Sequence, residues 1–161
     1  MPQSFFKLYY HIVWSTKYRA SSITPAIEQM LLVYMPGKIL KNGGSCLALN
    51  MTNDHLHLLV AILPTISVAE FIHKIKGSSS HFINLNLGNK SFYWQQGYGA
   101  LTLSEKGIPF VKRYVSNQKQ HHARSNVFGI LEYTPLDEIN QPSDLSLGGD
   151  NPQLKNPIYG V

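Results

Sequence analysis

The pattern of apolar periods along this 161-residue chain predicts an α+β domain: a ferredoxin-like βαββαβ sandwich with an antiparallel sheet and one additional C-terminal helix. Three observations predict it. Short β-branched or alternating runs at 5–14, 46–51 and 55–62 read as strands. Two longer runs, after Thr24-Pro25 and after Ser67, repeat their apolar residues at helical spacing. Each helical run lies between strand-like runs, and the second and third strands are joined by only Thr52-Asn53-Asp54, a hairpin-sized turn.

Taken in order, Phe5–Trp14 alternates Leu8, Tyr10, Ile12 and Trp14 against Tyr9, His11 and Val13. Thr24 is placed to cap a helix whose first turn contains Pro25 and whose face carries Ile27, Met30, Leu31 and Tyr34. Pro36-Gly37 is expected to disturb that helix, and Asn42-Gly43-Gly44 to stop it. After the hairpin strands Cys46–Met51 and His55–Ile62, Ser67 starts a second helix with Val68, Phe71, Ile72, Ile75 and Phe82 on one face. Phe92–Trp94 and Ala100–Leu103 read as strands around a glycine-containing bend. Pro109 opens a third helix expected to run to about Arg124. Residues 1–135 are therefore read as one domain, and 136–161, rich in Pro, Gly, Asn and Asp, as a polar, flexible tail.

The composition is that of a globular protein, with 43% hydrophobic and 14% charged residues. The single Cys46 excludes an internal disulfide framework and suits a reducing compartment. No run approaches the ~20 apolar residues of a membrane span, and the N-terminus lacks a signal-peptide pattern, so a cytoplasmic protein with no membrane partner is expected. A net charge of +5 favours polyanionic partners, although solubility alone accounts for it equally well.

Chemistry concentrates in two places. His55 and His57 are two residues apart on a strand and project from one face, the beginning of a divalent-metal site; taken alone, a polar strand face is the simpler reading. Tyr114 and Gln118 are four apart on the third helix and share a face. A glutamine carbonyl suits Mg or Mn as a third ligand, and a phenolic oxygen can attack phosphorus. His11, His73 and His81 lack a partner pattern and read as structural. Lys76-Gly77-Ser78-Ser79-Ser80 lacks the spacing of a nucleotide phosphate loop, so no nucleotide cofactor is expected.

The combination resembles the single-tyrosine HUH transposases, the insertion-sequence-200-like family that includes the REP-associated tyrosine transposases. The resemblance rests on Trp14-Ser15-Thr16-Lys17-Tyr18-Arg19, on Asn53-Asp54-His55-Leu56-His57-Leu58-Leu59-Val60, on Trp94-Gln95-Gln96-Gly97-Tyr98-Gly99, and on Tyr114 followed by Asn117-Gln118 and His121-His122, in that order over residues 5–125. It implies a DNA transposase in which His55, His57 and Gln118 hold a divalent metal, Mg or Mn, and Tyr114 is the nucleophile. It further implies a 5′-phosphotyrosine intermediate with a free 3′ hydroxyl, a single-stranded, hairpin-bearing DNA partner, and a homodimer.

Candidate DNA contacts are Lys112, Arg113, Lys119 and Arg124 on or after the catalytic helix, Lys74 and Lys76 on the second helix, and Trp94, with Tyr93 and Tyr98, for base stacking. Relatives ending in Gln-x-x-His-His continue into an acidic-aromatic helix, which Gly129 and Pro135 are expected to break here. Two other functions fit the same residues: a non-catalytic or domesticated hairpin-binding protein, and a replication-type HUH nickase.

Overall fold

The computed structural model describes residues 3–123 and 129–132. Four strands form one sheet: β1 (Tyr9–Ser15), β2 (Gly44–Met51), β3 (His55–Ile62) and β4 (Gly99–Leu103). Their order is β2-β3-β1-β4 and every pairing is antiparallel, the ferredoxin-like arrangement expected. Helices α1 (Pro25–Lys41) and α2 (Val68–Leu87) are the two crossovers. Three shorter helices follow: α3 (Ile108–Ser116), α4 (Gln118–Ala123) and α5 (Gly129–Glu132).

The alternation of the strands separates two packing layers. Ile12 and Trp14 of β1 and Leu56, Leu58 and Val60 of β3 meet Leu31, Met35 and Ile39 of α1 and Phe71, Ile72 and Ile75 of α2 in the main core. From the opposite face, Leu59 and Leu103 meet Val111 and Val115 of α3. A bulge in β2 between Cys46 and Ala48 lets Leu47 and Ala48 both join this smaller cluster.

Thr24 caps α1 as expected, its Oγ1 accepting from Ile27 N–H, and Ser67, expected to start the second helix, caps α2 by accepting at Oγ from Glu70 N–H. Gly43 turns at φ 83°, and a Cβ on Gly44 would lie 2.8 Å from the Phe71 ring, so both glycines of the turn after α1 are required.

Four expectations need correction. Helix α1 continues through Pro36-Gly37 because both are exposed, while Ile27, Leu31, Met35 and Ile39 hold the inner face. A carbonyl deprived of its donor there can bond water. Strand β1 begins at Tyr9 rather than Phe5, since its neighbours β3 and β4 end opposite Tyr9 near Ala61 and Leu103. Phe92–Trp94 is not a strand: Asn84 takes both backbone groups of Phe92, and only a single bridge joins Trp94 to Thr16. Finally, the third helix is not continuous. Asn50 Nδ2 donates to Val115 O and Ser116 O, both at 3.1 Å, the carbonyls a continuing helix would need. The helix ends at Asn117 (φ −101°, ψ 17°) and the next begins as α4.

Candidate active site

The site lies on the α3 face of the sheet. His55 and His57 leave β3 on that side, 4% and 0% exposed, and His11 lies beside them on β1. Tyr114 is buried at the last turn of α3, and Gln118 is fully buried at the start of α4. The helix break therefore still brings both helical residues into the interior. What it removes is their stacking on one helix.

Two residues absent from the expected ligand set complete the cluster. Glu132 Oε2 lies 3.0 Å from His55 Nε2, 3.1 Å from His57 Nε2 and 3.2 Å from His122 Nε2. Its other oxygen, Oε1, accepts a 2.6 Å hydrogen bond from the Tyr114 hydroxyl. One ligand atom from each of His55, His57, His122 and Glu132 falls within 4.8 Å of the others. Glu132 is delivered by α5, where the sequence predicts that Gly129 breaks a helix; Gly129 instead starts the single turn whose Leu131 is buried. His122 is visible in the Gln-x-x-His-His pattern, whereas an isolated glutamate fourteen positions after Gln118 carries no periodic signal.

Each imidazole is oriented by its far nitrogen. His55 Nδ1 is 2.6 Å from Asp54 Oδ1 and 2.9 Å from Thr52 Oγ1. His57 Nδ1 is 2.8 Å from His11 Nε2, so His11, expected to be merely structural, is a direct partner of the site. These contacts leave both Nε2 atoms facing Glu132, as metal-binding histidines require.

The electrostatics follow the same geometry. Burial pushes His57 down, and burial together with the neighbouring His57 pushes His11 down to about 3. Burial also opposes charge on His55, but hydrogen bonds to Asp54 and Glu132 outweigh it and raise the value. For Glu132, burial is likewise outweighed, here by hydrogen bonds from His55, His57 and Tyr114, and the carboxyl is held well below its usual range.

The donor chemistry fits a divalent cation. Three imidazole nitrogens and a carboxylate converge on one point, and the buried Gln118 amide has no hydrogen-bond partner at either Oε1 or Nε2 among the described residues.

Residues 4–118 match the family model described as "Transposase IS200 like". The chain belongs to the IS200-like transposase family. It is 24% identical to the ISDra2 transposase TnpA of Deinococcus radiodurans over 119 residues, 70% of this chain and 85% of that one. It is 29% identical over 122 residues to the transposase for insertion sequence element IS200 of Salmonella typhimurium, covering 68% and 75% respectively. Among solved structures, a transposase from D. radiodurans R1 superposes with a TM-score of 0.58 at 26% identity, over 73% of this chain and 98% of that one. The REP-associated tyrosine transposase bound to a REP hairpin superposes at 0.57 and 15% identity, over 79% and 74%, a likeness of fold.

The cationic candidates of this IS200-like transposase occupy varied settings. Lys112 and Arg113 are exposed on α3. Lys74 pairs with Glu70 at 2.7 Å, and Lys119 with Glu28 at 2.5 Å. Lys76 donates to Gly97 O at 2.7 Å and to Gln95 O, fastening the 95–97 loop to α2, and burial lowers its pKa to about 8. Trp94 packs edge-on against Trp14 and Phe92 and donates from Nε1 to Ser79 Oγ at 2.9 Å. Arg124 and residues 133–161, including the expected tail, lie outside the described residues. No helix among the described residues is long and apolar enough to cross a membrane.

Proposed function

We propose that this chain cleaves and rejoins single-stranded DNA through a covalent 5′-phosphotyrosine at Tyr114, in a site that holds Mg or Mn. The observation carrying the reading is the Tyr114 hydroxyl, hydrogen bonded to the same carboxylate that three imidazole nitrogens surround. A phenol next to a metal-binding cluster is the pairing that phosphoryl transfer by a tyrosine needs.

His55, His57 and Gln118 would hold the ion, and His122 and Glu132 would enlarge the ligand set. When bound, the cation would supply charge to stabilise the non-bridging oxygens of the scissile phosphate. Asp54 and His11 keep the Nδ1 edges of His55 and His57 occupied, so that the Nε2 edges remain ligands. Glu132 Oε1 orients the Tyr114 hydroxyl, whose proton passes to water as Oη forms its bond to phosphorus. The bond from phosphorus to the 3′ oxygen breaks, and that oxygen leaves with the electron pair and takes a proton from water. Attack by a 3′ hydroxyl reverses these changes and rejoins the strand, so no nucleotide cofactor is needed. Exposed Lys112 and Arg113 neutralise backbone phosphates. A hairpin-bearing strand is the proposed substrate because the REP-associated relative is bound to a hairpin. A homodimer is proposed on the family resemblance.

The test is covalent trapping. Incubated with Mn²⁺ and a single strand carrying the repeat that flanks its gene, the protein should form a denaturation-resistant adduct linked through the DNA 5′ phosphate. Tyr114→Phe should abolish adduct and nick while preserving metal and DNA binding. Nicking by the Phe variant would make water the nucleophile and the protein a metal-dependent nuclease.

A further inference from the structure

The turn after β1 is an unusual backbone. Tyr18 (φ 59°, ψ 22°) and Arg19 (φ 50°) are consecutive non-glycine residues in the left-handed region. Such pairs are rare, because Cβ crowds the following carbonyl, and they persist only where surrounding contacts impose them. Here the contacts are explicit. Lys17 N–H donates to Tyr93 O at 2.9 Å, and Arg19 N–H to Thr16 O at 3.0 Å. Tyr18 N–H donates to Gln95 Oε1 at 3.1 Å, and Thr16 Oγ1 to Ala20 O at 2.6 Å.

The strain does not serve burial, since Tyr18 is 80% exposed and belongs to neither core cluster. It presents an aromatic ring to solvent and sets a cation beside it. Lys17 Nζ lies 5.3 Å from the Tyr18 ring centre and 5.7 Å from that of Tyr93, itself 47% exposed. Tyr93 also lines a cleft of about 630 Å³ between α2 and the 93–98 loop. The turn is tied to the active site through Asp54, whose carbonyl accepts from Thr16 N–H at 2.8 Å and whose carboxylate meets both Arg19 and His55.

We infer that Lys17, Tyr18 and Tyr93 form a platform for an unpaired nucleotide flanking the scissile phosphate, with Tyr18 stacking on the base and Lys17 meeting the adjoining phosphate. This rests on the proposed action on single-stranded DNA and adds where the strand is held. A flat, exposed ring on a backbone held by four hydrogen bonds loses little freedom on binding a base, and stacking of this kind tolerates any base. Tyr93 makes the surface continuous with the cleft.

The discriminating variant is Tyr18→Asn. It removes the ring but suits a left-handed backbone, so the turn survives. Binding of a fluorescent single strand is measured in the uncleaving Tyr114→Phe protein, with thermal melting and Mn²⁺ affinity as controls. Tyr18→Asn should weaken binding about tenfold, the effect of one lost stacked base, and leave both controls unchanged. Tyr18→Phe should stay within about twofold of the parent, because the ring is what stacks. In a scan of abasic substitutions along the strand, one position should erase the difference between parent and Tyr18→Asn. Equal binding by Tyr18→Asn and the parent overturns the inference, as does a loss that persists at every abasic position. If the parent itself does not bind single-stranded DNA, the proposed function fails and the platform with it.

Discussion

Leu56, Leu58 and Val60 leave one side of β3, and His55, His57 and Leu59 leave the other. All six are buried, yet the two sides are buried for different purposes. On the α1–α2 side the alternating residues pack in the main apolar cluster, and removing them from water stabilises the fold directly. On the α3 side the same strand places two imidazoles out of solvent beside Glu132, where each polar atom costs free energy unless bonded. Most are bonded, to Asp54, Thr52, His11 and Glu132. The Gln118 amide, buried at the start of α4, is not, among the described residues.

The sharpest test of that comparison is a pair of neighbouring substitutions. His57→Ala should abolish Mn²⁺-dependent cleavage and lower Mn²⁺ affinity by at least about 100-fold, since a ligand should matter no less than the groups that orient it. Leu58→Ala, one residue on, should leave Mn²⁺ affinity near the parent value and cost about 2–5 kcal/mol in chemical denaturation, as a truncated core leucine does. If His57→Ala unfolds the protein while Leu58→Ala weakens the metal, the two faces have been assigned the wrong way round.

That division is legible in the sequence as far as periodicity reaches. Period-two alternation in 55–62 separates the histidines from Leu56, Leu58 and Val60, and capping residues place α1 and α2. Tertiary bonds decide the rest. Nothing local announces that Asn50 will take two carbonyls of α3, so the spacing of Tyr114 and Gln118 reads as one helix face. Nothing local joins His11 to His57 across β1 and β3, because cross-strand register is a property of the sheet. Glu132 arrives on one helical turn after a stretch with no period, and its role rests wholly on where that turn packs. Asn84, bonding the backbone of Phe92, keeps an aromatic β-like run from pairing as a strand.

The His11–His57 contact predicts how metal-free stability responds to pH. The folded state holds His11 at about 3 against an ordinary 6.5, and His57 is also lowered. As pH falls below 6.5 the unfolded chain takes up these protons first, so stability is full above 6.5 and drains away toward 3. Asp54 and Glu132 are lowered carboxylates, and their contributions are lost at still lower pH. His55 is raised and acts oppositely, losing its contribution as pH climbs past 6.5. Between about pH 6.5 and 4.5 His11 contributes a slope of at most about 1.4 kcal/mol per pH unit, and His57 acts in the same direction. Denaturation in chelator should show that slope, and His11→Phe should remove part of it. An unchanged slope in the Phe variant would place the proton uptake elsewhere.

The smallest expected effect changes sign with the metal. Gln118→Met replaces a fully buried amide by an apolar chain of similar length that adapts to irregular space. Without metal, the parent carries an amide whose desolvation no hydrogen bond from the described residues offsets, so the Met variant should be more stable by about 1 kcal/mol in chelator. With Mn²⁺ the order should reverse. A ligand that binds only the folded state adds stability according to its concentration relative to Kd, and the variant, lacking the Gln118 oxygen, gains less. Melting curves of both proteins across a Mn²⁺ series should therefore cross. If Gln118→Met destabilises the chelated protein, the Gln118 amide has a partner and is not reserved for a ligand. If Mn²⁺ stabilises both proteins equally, the amide is spare in either state, and His55, His57, His122 and Glu132 hold the ion without it.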